Sequence, residues 1–537
     1  MNLTRVQDSS PFNHCSALVV DGRSESAQRT LQLLRQLGMG EVVRAVRPLN
    51  ARTLLETRPF DYLFCDYDYD DSPANGQDFI DELREAQVLP YGTVVFFVTS
   101  EASRAKVADV AESGLDQYLL KPFTEASFTR RVEASRLRKL ALAPIFDAMN
   151  RADFATTLDL CEQEITKNGK YWLVAAHLGA EACLRTRRHG RARQLYEGIL
   201  ARNALPWARL GLARVEVQRG DHERAQLTLD ALITEHPSYV DAYDVLGRSQ
   251  MERGQLDAAL GSFGMAARLT PTCVRRLQKV AQAAFLSHDS EAAASALARA
   301  VHIGRDSRLL DMQSLLLLCF TDFDERALAR LENTAALLRT AAADQPGSYR
   351  LARFVDIAET LLMLEQEHED AARAAVQRMS LQLRDGEFDF EAASNFLCLL
   401  DRFDRCGLHL PEARAWVLAA ALRFCVSRVA VELLRNCARV AAYCATIDEA
   451  ALEIATLAKA AVARLLAGER QAALASLTLE GGRTLNGRLL EIAQKVCERH
   501  ADPALIALRD QVAALRLACC SPAPASALQL RPQAAAS

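Results

Sequence analysis

Along the first 140 residues, short apolar runs alternate with segments in which apolar residues recur every three or four positions. The runs Ala17–Val20, Glu41–Val46, Tyr62–Cys65, Thr93–Val98 and Tyr118–Leu120 read as strands, Tyr62–Cys65 as a buried one. Gln28–Leu37, with Leu31, Leu34 and Leu37 on one face, reads as a helix, as do Asp78–Ala86 and Ser103–Glu112. A last helix starts at Glu125 and carries Phe128, Val132 and Leu137, with an end expected near Leu140. Strands alternating with helices of about ten residues imply a parallel sheet with right-handed crossovers.

After residue 138 the strand signal vanishes, alanine and leucine rise, and helical spacing dominates. Five helix pairs are expected between Ala141 and Ile303. Gly247 and Ala281, Ala259 and Ala293, Phe263 and Leu297, and Ala266 and Ala300 all lie 34 positions apart. Small residues recur where paired helices approach, larger ones fill the gaps, and Pro271 ends the second helix. The preceding unit (Trp207, Leu210-Gly211, Gly220, Ala225, Leu229, Pro237) is looser at its turn. Beyond 306 helical stretches persist at Ala327–Ala341, Leu351–Leu364 and Ala413–Cys425 without a clean register. They read as degenerate repeats, with a separate helical bundle as the alternative. The expected division is 14–137, 138–305, 306–518 and a Pro/Ala/Ser tail over 519–537, expected to be disordered.

With 537 residues, half of them hydrophobic, the chain can bury several cores. A net charge of -4 gives nucleic acid or an anionic membrane no electrostatic advantage as a main partner. The most apolar stretch, Leu315–Phe320, is far shorter than a membrane span, and the first residues lack a signal-peptide core. A cytoplasmic protein with reduced thiols is expected. The 14 cysteines include no CxxC pair, which argues against a zinc site.

Four strands end in loaded residues: Asp21, Asp66, Thr99-Ser100 and Lys121-Pro122. In a parallel sheet those ends share one edge, so two carboxylates, a hydroxyl and an ammonium converge. That set suits phosphoryl transfer to a carboxylate. The acids can hold Mg²⁺, the lysine and hydroxyl can take the incoming oxygens, and Asp66 can attack. A solvated acidic loop is the plain alternative for FDYLFCDYDYDDSPANG, residues 60–76.

The stretches LVVDG (18–22), FCDYD (64–68), Gly76, VTSE (98–101) and YLLKPF (118–123) resemble the receiver domains of two-component response regulators, over about Cys15 to Leu137. The resemblance implies a five-stranded flavodoxin-like α/β fold with Asp66 as phosphoacceptor. Asp21 would be an acidic metal-site residue, and Asp68 would donate its carbonyl to the metal. Thr99 would be the phosphate-sensing hydroxyl, Lys121 the lysine of the site, and Tyr118 the aromatic switch. It also implies a cis Lys121-Pro122 bond. Two departures stand out: Gly22 replaces the usual second acid, and the loop from Asp66 to Gly76 is longer than in the family. Mg²⁺ is therefore expected to bind weakly, with Asp68 or Glu25 compensating in part. The pattern Tyr243, Leu246-Gly247, Gly254, Ala259, Phe263, Ala266, Pro271 resembles the tetratricopeptide (TPR) repeat, which makes the rest of the chain a TPR-type solenoid.

Together these imply a bacterial signalling adaptor and not an enzyme. A histidine kinase or phosphotransfer protein would supply the phosphoryl group. A protein or peptide would bind a groove along the first helices of the pairs near Trp172, Trp207 and Tyr243. The receiver is expected to dock rigidly on the first repeats, because no Gly/Ser linker intervenes. The alternatives are a pseudo-receiver scaffold that is never phosphorylated, and a nucleic-acid-binding regulator using Arg185, Arg187, Arg188, Arg191 and Arg193.

Overall fold

A computed structural model describes residues 10–67, 69, 76–100, 117–305, 309–499 and 506–519. The described chain divides into two compact units. The first holds residues up to Ser249 with 261–277 and 303–309; the second holds 250–260, 278–302 and residues from Leu310 on.

The first unit opens with five strands: β1 (Ser16–Val20), β2 (Glu41–Ala45), β3 (Tyr62–Asp66), β4 (Val94–Thr99) and β5 (Gln117–Leu120). All pair in parallel, in the order β2-β1-β3-β4-β5. Because strand side chains alternate, the sheet buries two distinct faces. Leu18, Val20, Leu63, Cys65, Val95 and Phe97 meet α2 (Pro48–Thr57) and α3 (Gly76–Glu85) through Ala51, Leu55, Phe79, Ile80 and Leu83. Ala17, Val19, Phe64, Phe96 and Val98 meet α1 (Ser24–Gln36) and α4 (Glu125–Asn150) through Leu33, Leu34, Phe128 and Val132. Phe64 stacks between Phe96 and Phe128 at 4.7 and 5.6 Å. The helix α2 has no counterpart in the pattern reading above. The expected helix Ser103–Glu112 lies outside the described residues.

The last receiver helix departs from expectation in two ways. Leu137 faces solvent at 55% exposure; Ser135, in register with Phe128 and Val132, is the buried position. The helix also does not stop near Leu140: α4 runs unbroken for 26 residues to Asn150, through Pro144. Proline interrupts a helix by removing one N–H and crowding the carbonyl four residues earlier. Here both Pro144 and Leu140 are exposed, so water can satisfy that carbonyl. The expected 137/138 boundary thus falls inside one helix. The second half of α4 packs Leu142, Ile145 and Phe146 against Leu178 and Cys161.

Helix pairs follow: α5 (Phe154–Thr166), α6 (Trp172–Arg185), α7 (His189–Leu200), α8 (Pro206–Gln218), α9 (His222–Glu235), α10 (Val240–Glu252), α11 (Leu256–Leu269), α12 (Val274–Ser287) and α13 (Ser290–Gly304). The second half of α4 completes the first of five pairs. The 34-residue register is a packing register: Ala259, Phe263, Ala266, Ala293, Leu297 and Ala300 are all buried. The glycines mark close approaches. A Cβ at Gly211 would lie 2.2 Å from the Tyr196 ring, and one at Gly247 would lie 2.6 Å from the Phe263 ring.

From Leu310 on, the described residues of the second unit form helices: α14 (Met312–Asp324), α15 (Leu328–Asp344), α16 (Tyr349–Glu365), α17 (Glu369–Ser380), α18 (Phe390–Arg405), α19 (Ala413–Phe424), α20 (Arg428–Cys437), α21 (Ala441–Leu466), α22 (Arg470–Thr484), α23 (Gly487–Arg499) and α24 (Ile506–Ala518). Gln278 on α12 accepts from the Asp311 backbone N–H at 2.6 Å and the Ser314 hydroxyl at 2.9 Å. A buried polar layer ties the next helices together. Arg350 bridges Asp311 and Glu391 at 2.6–2.7 Å, and the Gln313 and Asn395 amides exchange hydrogen bonds at 2.8 and 2.9 Å. Cys519, assigned above to the tail, is buried, with its thiol 3.0 Å from the Leu485 carbonyl.

Candidate functional site at the carboxyl edge of the sheet

Strand order reverses between β1 and β3, and open α/β sheets bind ligands outside the carboxyl ends of strands at such a point. Asp21 follows β1, Asp66 ends β3, Thr99 ends β4 and Lys121 follows β5. The pairing register brings them level: the Lys121 N–H donates to the Thr99 carbonyl at 2.7 Å, and Asp66 stands beside Val98. The Lys121 ammonium lies 3.0 Å from Asp66 Oδ2 and 3.6 Å from Asp21 Oδ2. Asp21, Asp66 and Thr99 are nearly inaccessible, at 3%, 4% and 1% exposure. Asp21, Asp66 and Lys121 therefore meet, Thr99 stands next to them through its backbone bond to Lys121, and the Lys121-Pro122 bond is cis.

One ammonium here faces two buried carboxylates. Burial raises the pKa of Asp66; Lys121 pulls it down and Asp21 pushes it up, with the net shift upward. This uncompensated pair suits a divalent cation, which is how Asp21 and Asp66 would hold Mg²⁺. Mg²⁺, when bound, would offset the charge of a phosphoryl group. Asp68, the third expected ligand, lies outside the described residues. Among the described residues no group of three or more His, Cys, Asp or Glu is arranged to hold a metal.

The loop after β1 is more basic than its spacing suggested. The Arg23 backbone N–H donates to Asp21 Oδ1 at 2.8 Å. The Arg44 guanidinium donates to the carbonyls of Asp21 and Gly22 at 3.1 and 3.3 Å. Arg23 follows Gly22 in sequence and was there to be read. Arg44 reaches the loop only because β2 pairs beside β1, with Val19 opposite Arg44.

Tyr118 is buried with Phe97, Tyr67 and Cys65 on the α2–α3 face. Its carbonyl accepts from the Arg131 guanidinium on α4, so the aromatic strand is tied to the long helix. Beside Asp66, the Cys65 thiol meets the Tyr69 hydroxyl at 2.9 Å; burial pushes that thiol up to about 12, which makes it inert.

At the opposite edge the receiver meets the helix pairs. Tyr91, in the segment between α3 and β4, donates its backbone N–H to Asn150 Oδ1 at 2.8 Å. Its ring packs with Leu142 and Phe146, under the Arg185 guanidinium at 5.6 Å. Nothing in the pattern reading pointed to Tyr91. The arginine cluster is partly neutralised: Arg185 pairs with Glu181, Arg191 with Glu162 and Arg193 with Glu197. The helices expected to line a groove are α6, α8 and α10, which carry Trp172, Trp207 and Tyr243. Trp207 packs against His177 and Tyr196, and Tyr243 is buried with its hydroxyl donating to the Pro237 carbonyl. Among the described residues no helix is long and apolar enough to cross a membrane.

Residues 17–133 match the family model of the response regulator receiver domain, and this part of the chain is such a domain. Chemotaxis protein CheY-3 of Vibrio cholerae is 28% identical over 116 residues, covering 22% of this chain and 87% of that protein. Chemotaxis protein CheY of Pseudomonas aeruginosa is 29% identical over 116 residues, covering 22% of this chain and 91% of that protein. Among solved structures, the APC/C hetero-tetramer Cut9–Hcn1 aligns with 76% of this chain and 99% of its own at 11% identity and a TM-score of 0.28. A monomeric IFIT1 mutant with Gppp-AAAA aligns with 74% of this chain and 88% of its own at 13% identity and a TM-score of 0.27.

Proposed function

We propose that this chain is a response regulator whose Asp66 accepts a phosphoryl group and whose helix pairs act as the output by binding another protein. The convergence of Asp21, Asp66, Thr99 and Lys121 on one sheet edge carries the reading. An Asp66 carboxylate oxygen attacks the donor's phosphorus, and the donor's bond to phosphorus breaks as the aspartyl phosphate forms. Lys121 and the Thr99 hydroxyl bind phosphoryl oxygens, stabilising charge as it develops. A histidine kinase or phosphotransfer protein is the donor this family implies. Asp21 and Asp66, with Asp68, are the metal-side residues, and Gly22 makes the cation site weaker than one with two adjacent acids. The chain itself is not an enzyme in this reading.

Transmission follows α4. A change at Thr99 and Tyr118 reaches Arg131, which holds the Tyr118 carbonyl, and α4 continues without a break into the first helix pair. A small-molecule acyl phosphate should label the wild type with an alkali-labile phosphate and spare Asp66→Ala. Pull-downs with and without beryllofluoride should then differ in the protein captured. Absence of label at saturating Mg²⁺ would favour the pseudo-receiver, for which the missing acid at Gly22 already speaks.

A further inference from the structure

We propose that Arg44 is a positioning residue of the Asp66 site: its guanidinium fixes the peptide that aims the Asp21 carboxylate, and so sets how well the site holds a divalent cation. This rests on the phosphorylation reading above.

Arg44 lies near the carboxyl end of the edge strand β2, opposite Val19 of β1. Its Nε and Nη2 donate to the Asp21 carbonyl at 3.3 and 3.1 Å, and Nη2 also donates to the Gly22 carbonyl at 3.3 Å. The Asp21 N–H donates to the Ala45 carbonyl at 3.2 Å. Two consecutive residues of β2 thus hold both backbone groups of Asp21. The Gly22 carbonyl and the Arg23 N–H belong to one planar peptide unit, so fixing one fixes the other. That N–H donates to Asp21 Oδ1 at 2.8 Å. A continuous chain of hydrogen bonds therefore runs from the guanidinium through one peptide to one carboxylate oxygen. The remaining oxygen, Oδ2, is the one 3.6 Å from Lys121, whose ammonium lies 3.0 Å from Asp66.

Local sequence does little to fix this loop. Gly22 is exposed, and glycine has the widest backbone freedom. At the N-cap of α1, Arg23 provides no side-chain cap, because a guanidinium has no acceptor to offer the helix N–H groups. A planar guanidinium can hold two neighbouring carbonyls at once, which a compact ammonium does less well. Linked hydrogen bonds to a charged donor also polarise and strengthen one another. Charge and position have opposite consequences for the metal. A positive charge repels a divalent cation, so charge removal alone would tighten Mg²⁺. Loss of aim at Asp21 would weaken it, since removing a group that orients a metal ligand typically costs about 10–100-fold in affinity. The sign of the change separates the two.

The test uses the full chain with Arg44→Ala and Arg44→Lys. Without metal, amide exchange across residues 22–25 should rise about tenfold in Arg44→Ala, with β3 and β4 protection unchanged. Calorimetry with Mg²⁺ alone should show binding about tenfold weaker in Arg44→Ala and about threefold weaker in Arg44→Lys. Tighter or unchanged Mg²⁺ binding in Arg44→Ala, or unchanged exchange in the loop, would overturn the assignment. Should Arg44→Ala fail to fold, Arg44→Lys decides, because it keeps the charge and loses the planar fork. Wild-type Mg²⁺ affinity in that variant would overturn the positioning role, and weaker affinity would support it. A wild type that binds no Mg²⁺ even at high concentration overturns the metal reading of Asp21 and Asp66 itself, and this inference with it.

Discussion

Replacing Asp66 by asparagine should make the receiver more stable, although it removes an ion pair. The 3.0 Å contact with Lys121 is worth about 5 kcal/mol at an effective dielectric constant of about 20. Against it stand the loss of hydration of a carboxylate that is 4% exposed, several kcal/mol per ion, and the repulsion of Asp21, which shares the same ammonium. The two opposing contributions win, because the pKa of Asp66 is shifted up from its ordinary 3.8. A carboxyl whose folded pKa is raised holds its proton more tightly when folded. Stability is therefore lost as pH rises from the ordinary value through the folded one, and the loss is complete above it. Asparagine has no such loss. Asp66→Asn should be more stable than the wild type at pH 7 and little different from it at pH 3, where both side chains are neutral. Hydrogen exchange of β3 and β4 amides in the full chain, compared at matched pH, reads this directly. Lower protection in Asp66→Asn at pH 7, or a gain equally large at pH 3, would refute the reasoning.

Gly22→Asp should tighten Mg²⁺ about tenfold, the value for one added carboxylate about 5–6 Å from a divalent ion in water. A Cβ there meets only the Val46 carbonyl at 3.5 Å, so the substitution fits, and an unchanged calorimetric affinity would mean that the metal lies elsewhere. Gly211→Ala drives a methyl to 2.2 Å from the Tyr196 ring and should cost about 2–3 kcal/mol, whereas Tyr196→Ala should cost about 3–5 kcal/mol. Urea unfolding of the double variant should show less than the sum; strict additivity would deny the close approach. Tyr91→Ala removes the ring packed on Leu142 and Phe146, and exchange across residues 142–150 should rise. Unchanged protection there would mean that Tyr91 does not hold the receiver to the first helix pair.

Much of the site could be read before any coordinate, because buried parallel strands announce themselves as apolar runs and the residue ending each run must stand at the sheet edge. Asp21, Asp66, Thr99 and Lys121 are all of this kind. The 34-residue interval was legible for a similar reason: close helix approach demands small residues at fixed spacing, and Gly247, Ala259 and Ala266 supply them. Side-chain environment was harder to read. Leu137 shared the helical spacing of Phe128 and Val132, yet it faces solvent and Ser135 takes the buried position.

What the chain's pattern determined by itself was the kind and order of elements, since periodicity is a local property of neighbouring residues. Tertiary structure decided where those elements stop and what lies across from them. Pro144 reads as a helix end in isolation, but packing of Leu142, Ile145 and Phe146 outweighs its local cost and carries α4 to Asn150. Arg44 and Tyr91 belong to different segments from the residues they serve, and only strand pairing and helix docking bring them there. Burial likewise sets the charge balance at Asp66, because the cost of removing a carboxylate from water depends on what surrounds it and on nothing in the residue itself.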